Sequence, residues 1–416
     1  MKRVPLNVAL KPLLFISFVS GTYTLPVRIK SRKFLSTVRG LLNVLFASVC
    51  CFTLLVNVTT EVVFLLQERE GSTNIASYYR VCLKVGELYL AMVFPTMGST
   101  SLRRFLSAFQ SYRSDFSRED VRYLFIMGVG IYSFLGLLIP QMPLIFTAAN
   151  GEDFPPDCHY GQHVHFPLSF LTCEPAFVSV TQHFSSGVFG TGFLIYLAVW
   201  RILMVEAKDI AECLRKQEKA TLLENPERLE YFRLRHAEIC DLIVKTNNCL
   251  RHIIAAYFGS GVPCILFVIH GFVYKQLSEE EFADMASFFS GLVVALTVMT
   301  LTGVALNLKM HEPAGLLFKL NIVKSTGKGS EVVAAFLSRL QGAPIGFNVY
   351  HLFTVDPSTI LMLCGTILTY AVVIVQIQPK PGAGNSQTHP HTEVRNQSTG
   401  LLLSSFTSLN LNQSDM

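Results

Sequence analysis

The chain has 416 residues, half of them apolar, with only 15% charged and a formal net charge of +5. Soluble globular domains carry about 25% charged residues, so this deficit points to a membrane protein and away from a soluble basic nucleic-acid domain. Ten cysteines in this length are too sparse for a disulfide scaffold.

A membrane-spanning helix needs about 20 mostly apolar residues, and seven stretches qualify. The N-terminal segment, 1–39, precedes them. It holds Lys2, Arg3, Lys11, Arg28, Lys30, Arg32, Lys33 and Arg39 and no acid. Its start, "MKRVPLNVALKPLLFISFVSG", has the basic-then-apolar order of a signal peptide. Dense Lys and Arg follow and no convincing small-x-small cleavage site appears, so it is expected to be retained. The first span is about 40–62. The second, 76–98, is the weakest because it contains Arg80, Lys84 and Glu87. The third is 123–148 and the fourth about 178–203, ending at Trp200 and Arg201.

Residues 201–251 are charged, yet Leu214, Leu222, Leu229, Phe232, Ile239, Leu242 and Ile243 recur at helical spacing. The pattern predicts a helical hairpin extending the fourth and fifth spans, with an apolar stripe that needs covering. The fifth span is 253–274 and the sixth 283–307. Residues 309–352 form a connection, within which 330–342 reads as an amphipathic helix. The seventh span, about 357–377, sits in a segment bounded as 353–378. The tail, 379–416, is rich in Pro, Gly, Ser, Asn and Thr and reads as disordered.

Cytoplasmic loops collect Lys and Arg. They do so here in the N-terminal segment, in the second–third loop, in 201–251 and in 309–352. Loop 150–165 has neither, and loop 275–284 is dominated by Glu279, Glu280, Glu281 and Asp284. The alternation puts the N-terminus inside and the C-terminus outside, opposite to a G-protein-coupled receptor. The expected fold is therefore an all-α membrane protein with seven transmembrane helices, six of them with the cytoplasmic hairpin in 40–308.

Outside, Cys158 and Cys173 are the disulfide candidates. A bridge and two free thiols are both open readings. Cys158, His159, His163 and His165 are of metal-ligating types but meet no recognised spacing, so no metal and no cofactor is expected. Asn396 and Asn412 lie in acceptor sequons on the outside, while Asn57 stands too close to the membrane.

In the seventh span, Asp356-Pro357 makes a good helix start, with Asp as cap and Pro at the first helical position. At 100° per residue, Thr366, Thr369, Tyr370, Val373, Gln376 and Ile377 fall on one side. The stripe either packs against other helices or lines a water-filled path in an oligomer, since an amide in hydrocarbon is costly unless partnered or wet.

Thr369-Tyr370, five apolar residues, then Gln376 and another apolar residue resembles the closing signature of the insect gustatory receptors and their odorant-receptor relatives. That signature ends in Phe, where this chain has Ile377. The stretch "LFTVDPSTI" (352–360) is similar to the segment leading into the family's last helix, where Gly often stands in place of His351. The N-terminal "LKPLLFISFVSGTYTL" (10–25) is similar to the family's opening segment.

The resemblance implies a ligand-gated, poorly selective cation channel of four subunits, homomeric or shared with related receptors, in the plasma membrane of chemosensory neuron dendrites. Val373 and Ile377 would form apolar constrictions and Gln376 a ring of amides, with the cytoplasmic helices as an inter-subunit anchor. Thr369 and Tyr370 would serve packing. A small tastant would bind in the outer half of the bundle, where Tyr79, Tyr132, Gln141, Gln182, His183, Ser186, His270, Tyr274 and Ser287 are the polar or aromatic candidates. Ala371, where sugar-sensing members often carry an acid, weakens a sugar reading. A polytopic transporter and a receptor signalling through a cytoplasmic partner are the alternatives. No nucleophile–base set, phosphate loop or nucleic-acid motif supports an enzyme or a nucleic-acid binder.

Overall fold

In a computed structural model, the described residues are 4–5, 33–67, 78–96, 104, 107–109, 115–116, 126, 175–216, 225–274, 279–319, 327–342 and 344–376. Two units divide the chain, Met1–Val375 and Gln376–Met416, and the second is described at Gln376 alone. In chain order the elements are β1 (Val4–Pro5), α1 (Lys33–Gln67), α2 (Tyr78–Thr96), β2 (Asp115–Phe116), α3 (Pro175–Lys216) and α4 (Pro226–Tyr274). Then follow α5 (Glu279–Phe318), α6 (Gly327–Gln341), β3 (Asn348–Val349), β4 (Phe353–Thr354) and α7 (Pro357–Gln376). The only sheets among the described residues are two short antiparallel pairs, Val4 with Phe116 and Val349 with Phe353.

Among the described residues, four helices are long and apolar enough to cross a membrane: Gly187–Lys216, Pro226–Val273, Met285–Phe318 and Pro357–Ile374. Helix α1 adds a shorter apolar stretch, Ala47–Val63. The third expected span, 123–148, lies outside the described residues except for Ile126.

Helix α3 forms the middle of the bundle. Every residue from 190 to 199 is buried. A helix apolar on all sides belongs inside a larger bundle, and α2, α4 and α5 pack around this one. Tyr196 fixes it to α5: its buried hydroxyl donates to the Met299 carbonyl at 2.7 Å and accepts from Thr302 Oγ1 at 3.2 Å. Leaving such a buried hydroxyl unpaired costs about 1–3 kcal/mol.

The charges that make the second span look weak have local answers. Lys84 Nζ stands 3.3 Å from Glu61 Oε1 on α1 and donates to Asn57 Oδ1. Arg80 Nε donates to Tyr79 Oη at 3.2 Å. Glu87 is buried and faces α4 near Tyr257 and Cys264. Asn57, half-buried and bonded to Lys84, is thereby a packing residue of the first span.

Beyond the bundle, the apolar stripe of 201–251 is covered as its spacing predicts. Leu214, Leu229 and Phe232 join Leu317 of α5 and Val333, Phe336, Leu337 and Leu340 of α6 in a second core. Ile239, Leu242 and Ile243 belong to the main core, and Leu222 lies outside the described residues. Arg235 donates to the buried Glu206 at 3.2 Å, tying α4 to α3.

The β3–β4 turn uses the left-handed region at two successive positions. Tyr350 and His351 sit at φ 49° and 61°, in the left-handed region. A side chain there costs about 1–2 kcal/mol, which glycine avoids. The turn is closed instead by Leu352 N–H donating to the Val349 carbonyl at 2.8 Å and by His351 N–H donating to Asn348 Oδ1. Substituting His351→Gly should raise stability by about 1 kcal/mol, read as a higher Tm of detergent-purified protein. A lower Tm would show instead that the imidazole makes a contact worth more than the relieved strain.

Candidate functional site

Helix α7 begins where its sequence predicts. Asp356 Oδ1 accepts from Thr359 N–H at 3.1 Å and from the Ser358 hydroxyl at 2.6 Å. Thr359 Oγ1 returns the favour by accepting from Asp356 N–H at 3.1 Å. The Ser358 hydroxyl, followed by the Thr359 amide, holds the Asp356 carboxyl below its ordinary range. The cap therefore persists as a carboxylate at neutral pH and is lost only as pH falls through that lowered value.

What precedes the helix is strapped to the bundle. Asn247 of α4 donates to the Gly346 carbonyl and accepts from Asn348 N–H, both at 3.1 Å. Asn307 of α5 donates to the Ile345 carbonyl at 3.1 Å. His311 Nε2 accepts from Ile345 N–H at 3.3 Å, so its Nδ1 is the donor to the Leu340 carbonyl at 2.8 Å. Val355 is buried and lies against Gly303 of α5, where an added Cβ would stand 2.6 Å from Val355 Cγ1.

The helix itself is scarcely buried. Of the window Pro357–Ile374, 6% is buried, against 78% for Gly187–Lys216. Ile360, Leu363 and Ile367 form the seam that packs on the core. Leu361, Met362, Leu368, Val372 and Val373 are exposed apolar side chains. Of the polar stripe, Thr366 is half-buried, and Thr369, Tyr370, Val373 and Gln376 are exposed. By helical spacing Thr369 and Gln376 lie about 150° or more from the seam, and Val373 about 110°. Packing among the described residues therefore does not account for the exposed part of the stripe, which includes Thr369 and Tyr370. Ile377 lies outside the described residues.

The expected ligand-pocket residues are only partly in view. Tyr79 is buried on α2 and meets Phe288 of α5, next to Ser287, at a ring distance of 5.6 Å. Its carbonyl accepts from Cys264 Sγ at 3.2 Å. His270 on α4 and Ser287 on α5 are half-buried. Gln182, His183 and Ser186 fall on α3 and Tyr274 ends α4, but their side chains lie outside the described residues. So do Tyr132, Gln141, Cys158, Cys173, Asn396 and Asn412. Sequence reasoning counted Lys84 and Glu87 only as a weakness of the second span and missed the pairing of Lys84 with Glu61. The signal was present, since ionisable groups inside apolar spans mark functional positions by default.

No curated protein matches the chain. Among solved structures it is similar to the insect olfactory receptor OR5 from Machilis hrabei in complex with eugenol. The TM-score is 0.66 at 13% identity, covering 90% of this chain and 99% of that one. A second structure of the same receptor gives a TM-score of 0.63 at 14% identity, again covering 90% and 99%. At such identity the likeness is one of fold. The description "7tm Chemosensory receptor" matches residues 10–380. That match spans nearly the whole described bundle, through α7, and the chain belongs to the 7tm chemosensory receptor family.

Proposed function

We propose that the protein is a gustatory receptor acting as a tetrameric ligand-gated, non-selective cation channel, opened by a small tastant in the outer half of the bundle. The observation that carries this reading is the open face of α7. An apolar helix whose polar stripe, Thr369 to Gln376, is turned away from its own chain needs water or other subunits beside the amide. A central pore shared by copies supplies both. Val373 and Ile377 then act as apolar constrictions that close by dewetting, and Gln376 presents an uncharged polar ring that passes cations with little discrimination. The partners are homomeric or related subunits, and the setting is the plasma membrane of chemosensory neuron dendrites. The similar OR5 structure holds eugenol, a small molecule, which supports a ligand of that size.

The arrangement has seven spans with the N-terminus inside. The cytoplasmic helices near α6 serve as the inter-subunit anchor, and 379–416 is an outside tail. Current recording against a panel of small tastants should give ligand-evoked cation currents in cells expressing the full chain, alone or with a related subunit. A tag at the C-terminus should be labelled on intact cells. Labelling only after permeabilisation would reverse the topology and remove Gln376 from the outer mouth.

A further inference from the structure

Outside the features already described, one polar cluster joins three distant parts of the chain at the foot of α7. Tyr89 comes from α2, His252 from α4 and Tyr350 from the β3–β4 turn. Tyr89 Oη lies 2.7 Å from His252 Nδ1 and 2.7 Å from Tyr350 Oη. Tyr350 Oη also bonds His252 Nδ1. The guanidinium of Arg251 lies over the Tyr350 ring at 5.3 Å, and its Nε donates to His252 Nε2 at 3.4 Å.

That last contact decides the proton count. An Nε2 that accepts from Arg251 leaves the proton of the neutral ring on Nδ1, aimed at the two tyrosine oxygens. Adding a proton places a second N–H on Nε2, facing the Arg251 N–H: donor against donor and cation against cation. Arg251 must then swing away, and it leaves the Tyr350 face as it does so. The groups facing the imidazole are Tyr89 from α2, Arg251 from α4 and Tyr350 from the turn.

We propose that Tyr89, His252 and Tyr350 are positioning residues that latch the lead-in of α7 to α2 and α4, and that protonation of His252, which keeps the Nδ1–H bond to the tyrosines, drives Arg251 off the Tyr350 ring and so loosens the latch. This rests on the channel reading, in which α2 and α4 help form the ligand-sensing bundle and α7 the pore. Release lets ligand-driven movement of the bundle and movement of the pore helix part company. The Arg251 guanidinium beside the ring opposes its protonation, so the latch responds to acidification toward the lower end of the imidazole range, about pH 5, on the side it faces, the cytoplasmic side in the proposed topology.

The test reads backbone protection, not current, so its failure is distinct from failure of the channel reading. Hydrogen exchange of peptides covering 348–356 is measured on the full chain in detergent at about pH 8 and about pH 5, corrected for the intrinsic pH dependence of exchange. Protection should fall several-fold on acidification in the wild type and stay constant in His252→Gln. Arg251→Gln should shrink the response because the opposing cation is gone, and it stands in for His252→Gln if that variant does not fold. The control, His351→Gly, should keep the response. No acid response in the wild type, or the same response in His252→Gln or Arg251→Gln, overturns the latch. Loss of the response in His351→Gly assigns it to the turn histidine and overturns the latch as well.

Discussion

Substituting Gln376→Arg should remove most of the cation current while leaving the amount of protein at the cell surface unchanged. Gln376 is exposed at the end of α7 and makes no part of the seam formed by Ile360, Leu363 and Ile367, so the change leaves the packing of the chain alone. In a ring of subunits it adds a fixed positive charge from each. A unit charge about 4 Å from a passing cation repels it by about 1 kcal/mol even in bulk water. Several such charges exceed the 1.36 kcal/mol that corresponds to tenfold in rate, so conductance should drop about tenfold or more. Gln376→Glu should act in the opposite sense, raising divalent permeation through a ring of carboxylates. Single-channel recording of both variants checks the pair. Equal conductance in Gln376→Arg, Gln376→Glu and the wild type would falsify the pore assignment, and with it the roles given to Val373 and Ile377.

Substituting Gly303→Ala should destabilise the join between α5 and α7. The new methyl would stand 2.6 Å from Val355 Cγ1 and 3.0 Å from Val355 Cβ, with Tyr196 Oη at 3.3 Å. None of these atoms has room to retreat. Val355 is 1% exposed, and Tyr196 is held by the Met299 carbonyl and ringed by Phe347 at 5.1 Å. Overpacking of a filled core costs about 1–3 kcal/mol, seen as a lower Tm and reduced surface expression. The double variant Gly303→Ala/Val355→Ala removes the opposing methyls and should recover part of the loss. If the double variant is no better than Gly303→Ala alone, the close approach of α5 to the segment leading into α7 is not the cause.

Much of the scaffold was legible because its signals are local. The Asp356-Pro357 start needs only neighbours in sequence: the carboxylate finds the Thr359 amide three residues on. The described members of the stripe, Leu214 and Leu229 to Ile243, are buried because a 3.6-residue repeat defines one face wherever the helix docks. The left-handed turn at Tyr350 and His351 was not read from the sequence, since neither residue is a type that favours a positive φ. The same periodicity could group Thr369, Val373 and Gln376, but not say whether that face looks in or out; only the packed bundle shows it turned away.

What stayed hidden lies in pairings across long stretches of chain. Tyr89 and Tyr350 are 261 residues apart, and Tyr89 and His252 are 163 apart. Nothing in either neighbourhood names the other. Likewise Lys84 weakens the second span when read alone. Its partners, Glu61 and Asn57, belong to the first, so an apparent fault in one helix is resolved by the next. Asn247, Asn307 and His311 read as ordinary polar residues on long helices. Their part in strapping down 345–348 appears only when backbone N–H and carbonyl groups near the turn are accounted for one by one.

The contrast between a sealed α3 and an open α7 bears on inheritance. A subunit damaged within the buried residues 190–199 would fail to fold before meeting any other, and such a defect is expected to be recessive. In the proposed assembly, a subunit changed on the open face of α7 would still fold and join normal ones. Its altered side chain would then stand in a wall that all of them share, and a single variant allele would suffice to lower the ligand-evoked current.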